Sequence, residues 1–370
     1  MSAPPSPQSP VSQSSAPRFT GADLLAPTAF FLGALLLAAA LAVGPIIGDR
    51  FRAIPSDVDV TWVADGSSSS RILDRCSLNA PTARVLDAQV QQRRRIVVVR
   101  PSDADIVTFQ AGTSLGVNRY VVDGKSVKAK DVCAEQTLAA TIDRVTLDRS
   151  TALTSGTSEV QFDDKKGAVT IPERRGYTYV FPYGVEIGDR PEYFDVTTRQ
   201  SVSLLRAGTE TIEGRATIHF TATTPDTDLS QFDTRAVITK PASWFGTFPN
   251  VAPTQTLTAT LHHSSQRDLF VDAATGVVVD ERVTVSEEYR FADSAADRSQ
   301  ALANYRLVNI DATFTGDDRS RQDGAAAAAA RQRPVTLTTV TAPIVFGVLG
   351  VAALAGGVYL NRRERDSADR

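Results

Sequence analysis

The sequence predicts an α+β fold dominated by strand: a curved antiparallel sheet or barrel-like domain held between two transmembrane helices. Three observations carry that expectation. Almost wholly apolar runs occupy residues 24–47 and 340–360. The chain between them alternates apolar and polar residues, as in Ala216, Ile218, Phe220 and Ala222 against Thr217, His219, Thr221 and Thr223. β-Branched residues recur throughout this region, while helix signals are sparse.

Residues 1–23 open with a stretch of Pro, Ser, Gln and Ala that has almost nothing to bury, so a disordered tail is expected. Residues 24–47 are long enough to cross a hydrocarbon core of about 30 Å at about 1.5 Å per residue. Pro27 falls in the first turn, where proline is tolerated, and Pro45 helps to end the helix. Ala40-Leu41-Ala42 offers a small-x-small cleavage pattern. The basic flank is poor and the apolar run is long, so an uncleaved anchor is expected. The second run, 340–360, is followed by Arg362, Arg363 and Arg365. Basic residues at membrane ends favour the cytoplasm. This places both tails (1–23 and 361–370) inside and the central region outside the plasma membrane; Arg50 and Arg52 oppose that orientation but are less dense. Ala352, Ala353, Gly356 and Gly357 form two small-xxx-small pairs suited to close helix packing.

The domain is expected over residues 49–317. Strand candidates lie at 57–63, 96–99, 105–109, 117–122, 158–162, 216–223, 257–261, 277–291 and 304–314. Helices are expected at 82–93, where Val85, Leu86 and Val90 fit a helical stripe, and at 294–304 with Asp293 or Ser294 as cap. Residues 318–336, with alanines at 325–330, read as a helical or loose stalk before the membrane. Phe194-Asp195-Val196-Thr197-Thr198-Arg199 is echoed by Val271-Asp272-Ala273-Ala274-Thr275-Gly276. Each reads as a hairpin tip in which Asp bonds nearby backbone. Whether the domain is single or split near residues 167–176 is left open by the sequence.

The net charge of −3 and the near balance of the central region exclude a nucleic-acid sheath. Cys76 and Cys133 are the only cysteines. Outside the cytoplasm they would form a disulfide contributing about 3–4 kcal/mol by closing a long loop.

An ordered series of short motifs runs through the second half: Phe181-Pro182-Tyr183-Gly184-Val185-Glu186, Tyr193-Phe194-Asp195, Ile212-Glu213-Gly214, and Asp272 through Asp280. In these motifs and in its flanking apolar runs, the chain resembles the PorA family of actinobacterial envelope proteins. It departs from the family's common proline after the hairpin Asp, having Val196 and Ala273. The resemblance implies an ectodomain on the outer face of the plasma membrane, beneath a mycolate-containing wall. For members active in lipoglycan biosynthesis it implies binding of a membrane lipid or glycolipid and work beside envelope biosynthesis proteins. It carries over no binding residue. A pore is not expected: a membrane barrel needs an apolar outer band with aromatic girdles, whereas the strands here are rich in threonine and aromatic residues make up 7% of the chain.

Candidate chemistry is sparse. Gly112-Thr113-Ser114-Leu115-Gly116 matches a nucleophile elbow, but strand follows where helix is required, so we expect a hairpin connection and no catalysis. His219, His262 and His263 lack metal-ligand spacing, and no metal or cofactor is expected. Arg93, Arg94, Arg95 and Arg100 form the densest basic cluster and are the candidates for an anionic lipid head group. Lys125, Lys128 and Lys130 form a second cluster. Trp244, Phe245 and Phe248 lie in a proline-bounded loop, and with Trp62 they are candidates for a membrane-interface contact or a cavity gate. The expected function is non-covalent handling of a glycophospholipid for lipoglycan or wall assembly. The alternatives are an envelope assembly protein without a lipid and a hydrolase using Ser114.

Overall fold

The structure is a computed structural model describing residues 24–162, 167–292 and 299–368. The expected N-terminal tail and the expected helix cap at Asp293 or Ser294 lie outside the described residues.

The two apolar segments form one unit and Arg50–Pro334 another. In the first unit, an α-helix at Leu25–Val43 runs into a π-turn at Gly44–Gly48. A second α-helix at Ala342–Ala368 follows a π-turn at Leu337–Thr341. Both apolar segments are long and apolar enough to cross a membrane. They pack against each other where side chains are missing: a Cβ on Gly33 would stand 2.7 Å from Leu354 and 2.9 Å from the Gly350 carbonyl. Of the small-residue pairs expected from the sequence, Gly357 meets Phe30, whereas the space beside Gly356 is open.

The second unit is built on fifteen described strands. They are β1 (Asp59–Gly66), β2 (Arg71–Leu73), β3 (Val85–Val99), β4 (Ile106–Val122), β5 (Lys125–Lys128), β6 (Thr137–Asp148), β7 (Thr154–Gln161) and β8 (Val169–Thr170) in the first half. The second half holds β9 (Glu192–Asp195), β10 (Gln200–Ile212), β11 (Arg215–Asp228), β12 (Val237–Pro241), β13 (Thr256–Asp272), β14 (Val278–Phe291) and β15 (Leu307–Gly316). They form one antiparallel sheet whose main path runs β8-β7-β6-β4-β3-β1-β15-β14-β13-β11-β10-β9. The two halves join where β1 and β2 each pair with both β3 and β15. The question of two halves split near residues 167–176 is thereby answered at the level of the sheet: both belong to one.

The sheet curls. β4 and β14 stand four strand spacings apart, roughly 19 Å in a flat sheet, yet Phe109 of β4 and Val278 of β14 wall the same cavity. Strand twist supplies the curvature. The segment between β8 and β9 helps to fill the inside: Phe181 is fully buried, stacked on Tyr177 at 4.8 Å and on Phe220 at 5.5 Å.

The two hairpin tips expected from the sequence share one geometry. Asp195 Oδ1 accepts from the Thr198 amide (2.8 Å) and hydroxyl (3.0 Å). Asp272 Oδ1 accepts from the Thr275 amide (2.9 Å) and hydroxyl (2.6 Å). The next residue takes the left-handed conformation in both, Arg199 at φ 57° and Gly276 at φ 73°. Gly276 is required for a second reason: its Cβ would lie 2.3 Å from the Phe181 carbonyl, because the Phe181-Pro182-Tyr183-Gly184 turn docks on this hairpin. The Phe181 amide donates to the Gly276 carbonyl and the Gly184 amide to the Ala274 carbonyl.

Two local expectations are corrected and a third is decided between its alternatives. Residues 82–93 are not helical; Leu86 packs with buried Ala88 and Val90 at strand spacing on β3, which pairs with β4 along its length. The stretch from Gly112 to Gly116 is not a hairpin connection but the middle of β4, with Ser114 exposed opposite Arg93. Of the helical and loose forms open to the alanine run, the helical one is found: Asp318–Thr336 is an α-helix with Ala325 and Ala328 buried against Val279. Gly324 permits this contact, since a Cβ there would be 2.9 Å from the Val279 carbonyl. Of the helix expected at 294–304, the described part is helical at Gln300–Ala303.

A run of buried ionic contacts crosses the interior. Arg174 grips Asp143 with both terminal nitrogens (2.6 and 3.0 Å), lies over the Phe194 ring at 4.2 Å, and donates to Ser158 and Thr178. Tyr179 donates to Asp143 at 2.6 Å, and burial with the adjacent carboxylate holds its phenol well above the usual range. Arg94 lies over Tyr179 and pairs with Glu281, which also pairs with Arg267. Removing one partner of such a pair strands the other charge, so Asp143→Asn should cost about 3–5 kcal/mol in urea unfolding. A loss below about 1 kcal/mol would show the pair to be dispensable.

Cys76 and Cys133 form a disulfide that ties the β2–β3 connection to the segment before β6. Reduction should destabilise the β unit by about 4 kcal/mol, read as a fall in the denaturant midpoint, because it releases a long loop. The buried Asp280 supplies a pH-dependent prediction. Burial raises its carboxyl from 3.8 to about 6. Between those values the folded state holds a proton that the unfolded chain releases, so this group's contribution falls as pH rises through about 6. Asp280→Asn should therefore raise stability at pH 8 by on the order of 2–3 kcal/mol and flatten the pH profile between about 4 and 6; an unchanged profile would refute this.

Candidate functional site

A cavity of about 860 Å³ lies inside the β unit, within the size range of small-molecule sites. One wall comes from the sheet: Val60 and Trp62 of β1, Ile96 of β3 and Phe109 of β4. Val277 and Val278, beside and on β14, also line it, with Ala327 and Ala330 of the alanine helix. Tyr179 and Val180 close it from within, and residues from Arg50 to Val58 form a strap along it. The walls are largely apolar because period-two alternation turns one face of β1 and β3 inward and because the alanine helix contributes the methyl groups of Ala327 and Ala330 beside Arg331.

The strap is held by two arginines. Arg149 Nε donates to the Ile54 carbonyl at 2.7 Å, and the Ile54 amide returns a bond to the Arg149 carbonyl at 2.8 Å. Arg149 Nη1 donates to the Asp103 and Ala104 carbonyls. Arg331, on the alanine helix, donates through Nη2 to the Arg52 carbonyl at 3.0 Å. The rest of its guanidinium is unusual. The residue is only 6% exposed, and its Nε and Nη1 have no hydrogen-bond partner among the described residues. Its charge centre lies 5.9 Å from the Tyr183 ring. Burial lowers this guanidinium to about 10, so it stays charged at neutral pH. Arg215 steadies the same helix by bonding Asp272 Oδ2 (2.7 Å) and Gln332 Oε1 (2.8 Å). Burial pushes the Asp272 carboxyl up, but Arg215 and Thr275 outweigh it and hold it below the usual range.

Four arginines line the cavity (Arg50, Arg94, Arg149, Arg331) against a single carboxylate, Asp57. Arg94 is answered by Glu281 and Arg149 by backbone carbonyls. The arrangement suits an elongated apolar molecule with a negative end. It provides no paired nucleophile and base.

The residues singled out from sequence are scattered. The arginine cluster is divided by strand alternation: Arg93 and Arg95 are exposed, Arg95 pairing with Asp59, while Arg94 turns inward to the cavity and Glu281. Arg100 lies beyond the end of β3, where its carbonyl accepts from Arg144. Trp244, Phe245 and Phe248 are buried in a core with Phe291 and Tyr305, and Trp244 Nε1 donates to the Ser77 carbonyl at 2.9 Å. Trp62 lies apart from them, in the cavity wall and in contact range of Gly316. Lys125, Lys128 and Lys130 are exposed. His219 pairs with Asp268, His262 with Asp226 and His263 with Glu287. The residues that sequence reasoning missed are the strap, Tyr179, Val180 and Arg331. One signal was available: Tyr179 and Val180 immediately precede the Phe181-Pro182-Tyr183-Gly184 motif.

A second cavity of about 540 Å³ is more polar, lined among others by Arg75, Glu135, Arg199, Glu287 and Asn309. Arg199 there lies between the Phe162 and Phe232 rings, at 4.9 and 5.0 Å.

Comparison with known proteins places these features in a family. The chain is 24% identical to Porin PorA of Corynebacterium amycolatum, over 90% of this chain and 97% of that protein. Among solved structures, a DUF1329 family protein from Desulfovibrio piger is similar at 8% identity, covering 80% of this chain and 92% of that one with a TM-score of 0.20. A β-barrel-like DUF1849 protein from Brucella abortus is similar at 9% identity, covering 71% and 96% with a TM-score of 0.13. The sequence model described as Porin PorA matches residues 25–359, and the chain belongs to that family.

Proposed function

We propose that this protein is a two-pass membrane protein whose β unit lies on the outer face of the plasma membrane and binds a lipid without chemically altering it. The observation that carries the reading is the apolar cavity of about 860 Å³. Each buried methylene of an acyl chain contributes about 0.8 kcal/mol. Apolar walls therefore favour a hydrocarbon tail over a sugar or a nucleotide, which need many polar partners. Both ends of the lining, Arg50 and Pro334, lie along the chain beside the apolar helical segments, so the domain is tethered by residues next to its own cavity. The disulfide agrees with an extracytoplasmic position, and Arg362, Arg363 and Arg365 favour a cytoplasmic C-terminus. The work of such a protein is to shield acyl chains and to present or move a glycophospholipid for lipoglycan or wall assembly, beside envelope biosynthesis proteins.

Native mass spectrometry of the full chain, released from its host membrane in a neutral detergent, tests the reading. A lipid should remain bound at fixed stoichiometry. Ala327→Trp, which fills the cavity from the helix side, should remove it while leaving the unfolding midpoint within a few degrees. An apo mass, or a bound lipid indifferent to Ala327→Trp, would overturn the cavity reading and favour an assembly protein that holds no lipid.

A further inference from the structure

Within the cavity the guanidinium groups are not equivalent. Arg94 is matched by a carboxylate and Arg149 donates to three backbone carbonyls. Arg331 is the most buried of the lining arginines for which no charged partner is found among the described residues, and it uses one nitrogen of three. A buried cation with unsatisfied N–H groups is costly. It is also selective: donors already stripped of water bind an anion without a further desolvation penalty on the protein side. The nearest side-chain partner, the Tyr183 ring, offers a π face, which leaves the donors in the guanidinium plane uncommitted. Tyr183 is fixed by the docking of its turn on the hairpin of Asp272 to Gly276. The position of Arg331 is therefore set by the fold.

We propose that Arg331 is the anion anchor of this cavity, receiving the carboxylate or phosphate of an acyl-chain amphiphile whose tail lies along Val60, Ile96 and Val278. This rests on the lipid-binding reading and adds to it a charge requirement and the residue that imposes it. A guanidinium serves both oxyanions, and a methylated, neutral head group would leave its donors unanswered.

The test uses delipidated full chain in neutral maltoside micelles, with empty micelles as blank. The probe is cis-parinaric acid, followed by energy transfer from Trp62 in the cavity wall, and the control is its methyl ester. The acid should bind at least ten-fold more tightly than the ester. Arg331→Met should abolish that preference, acid and ester then binding alike, and Arg331→Lys should keep part of it. In the wild type alone, acidification that protonates the acid should erase the preference, which keeps the proposal open to refutation if the Met variant does not fold. Competition by dodecyl phosphate against dodecanoate distinguishes a phosphate from a carboxylate head group, and a win by either agrees with the anchor. Equal binding of acid and ester to the wild type, or a preference that survives Arg331→Met, would sink the anchor while leaving the lipid cavity standing. Failure of the wild type to bind either probe would overturn both.

Discussion

The interior depends on a line of buried charges that must all be answered at once. Asp143 on β6 is held by Arg174 and Tyr179, Tyr179 lies under Arg94 of β3, and Arg94 meets Glu281 of β14, which also binds Arg267 of β13. Charges taken out of water cost several kcal/mol each unless geometry repays it. Such a line stabilises little on its own but tolerates few alternatives. It requires β3 to face β14 and requires the segment carrying Arg174 and Tyr179 to sit inside the curl. The apolar cavity begins where this line ends, with Tyr179 and Arg94 in its wall. The polar interior and the apolar cavity are thus consequences of one folding decision.

That decision is reinforced where the two halves of the sheet meet. β1 pairs with β15 at its Ala64 end and with β3 along its length. A Cβ on Gly316 would stand 2.3 Å from the Trp62 ring, so the glycine lets β15 close over the indole. The same indole walls the cavity, and Gly316 is followed almost at once by the alanine helix. The junction of the two sheet halves at β15 and the helix bearing Arg331 are therefore adjacent along the chain, and the cavity wall meets that junction at Trp62. A disturbance at Gly316 would be felt in all three.

Much of this was legible in the sequence. Period-two alternation marked β11 and β13, uninterrupted hydrophobicity marked both apolar helices, and the Asp–Thr pairs at 195 and 272 marked hairpin tips because their turn chemistry is local. The cysteines read correctly as a pair. The failures share a cause. Residues 82–93 carry Gln and Arg that suit a helix, and only pairing with β4 makes them strand, a tertiary effect that local propensity does not contain. What buries the aromatic loop at 244–248 is likewise not local, since Phe291 and Tyr305 are more than forty residues away in sequence. The cavity is the extreme case, since its lining comes from β1, β3, β4, the segment before β9, β14 and the alanine helix. An arginine in an alanine-rich helix reads as solvated surface until its neighbours are known.

The family label names a pore, and the architecture of this chain argues for a different use of strand. A membrane barrel must close, so that no edge is left in hydrocarbon. Here the sheet path runs from β8 to β9, and among the described residues these two do not pair. Exposed strand positions carry Arg93, Arg95, Arg206 and Glu210. Two helices are long and apolar enough to cross a bilayer. The sheet curls around an interior that divides into a charged part, largely matched by its own ion pairs, and an apolar part lined by Val60, Ile96 and Val278. A cavity with hydrocarbon walls and one under-committed guanidinium is complementary to a molecule with a long tail and a negative end. A water-filled conduit would need the opposite arrangement, with its charges facing solvent along the whole length.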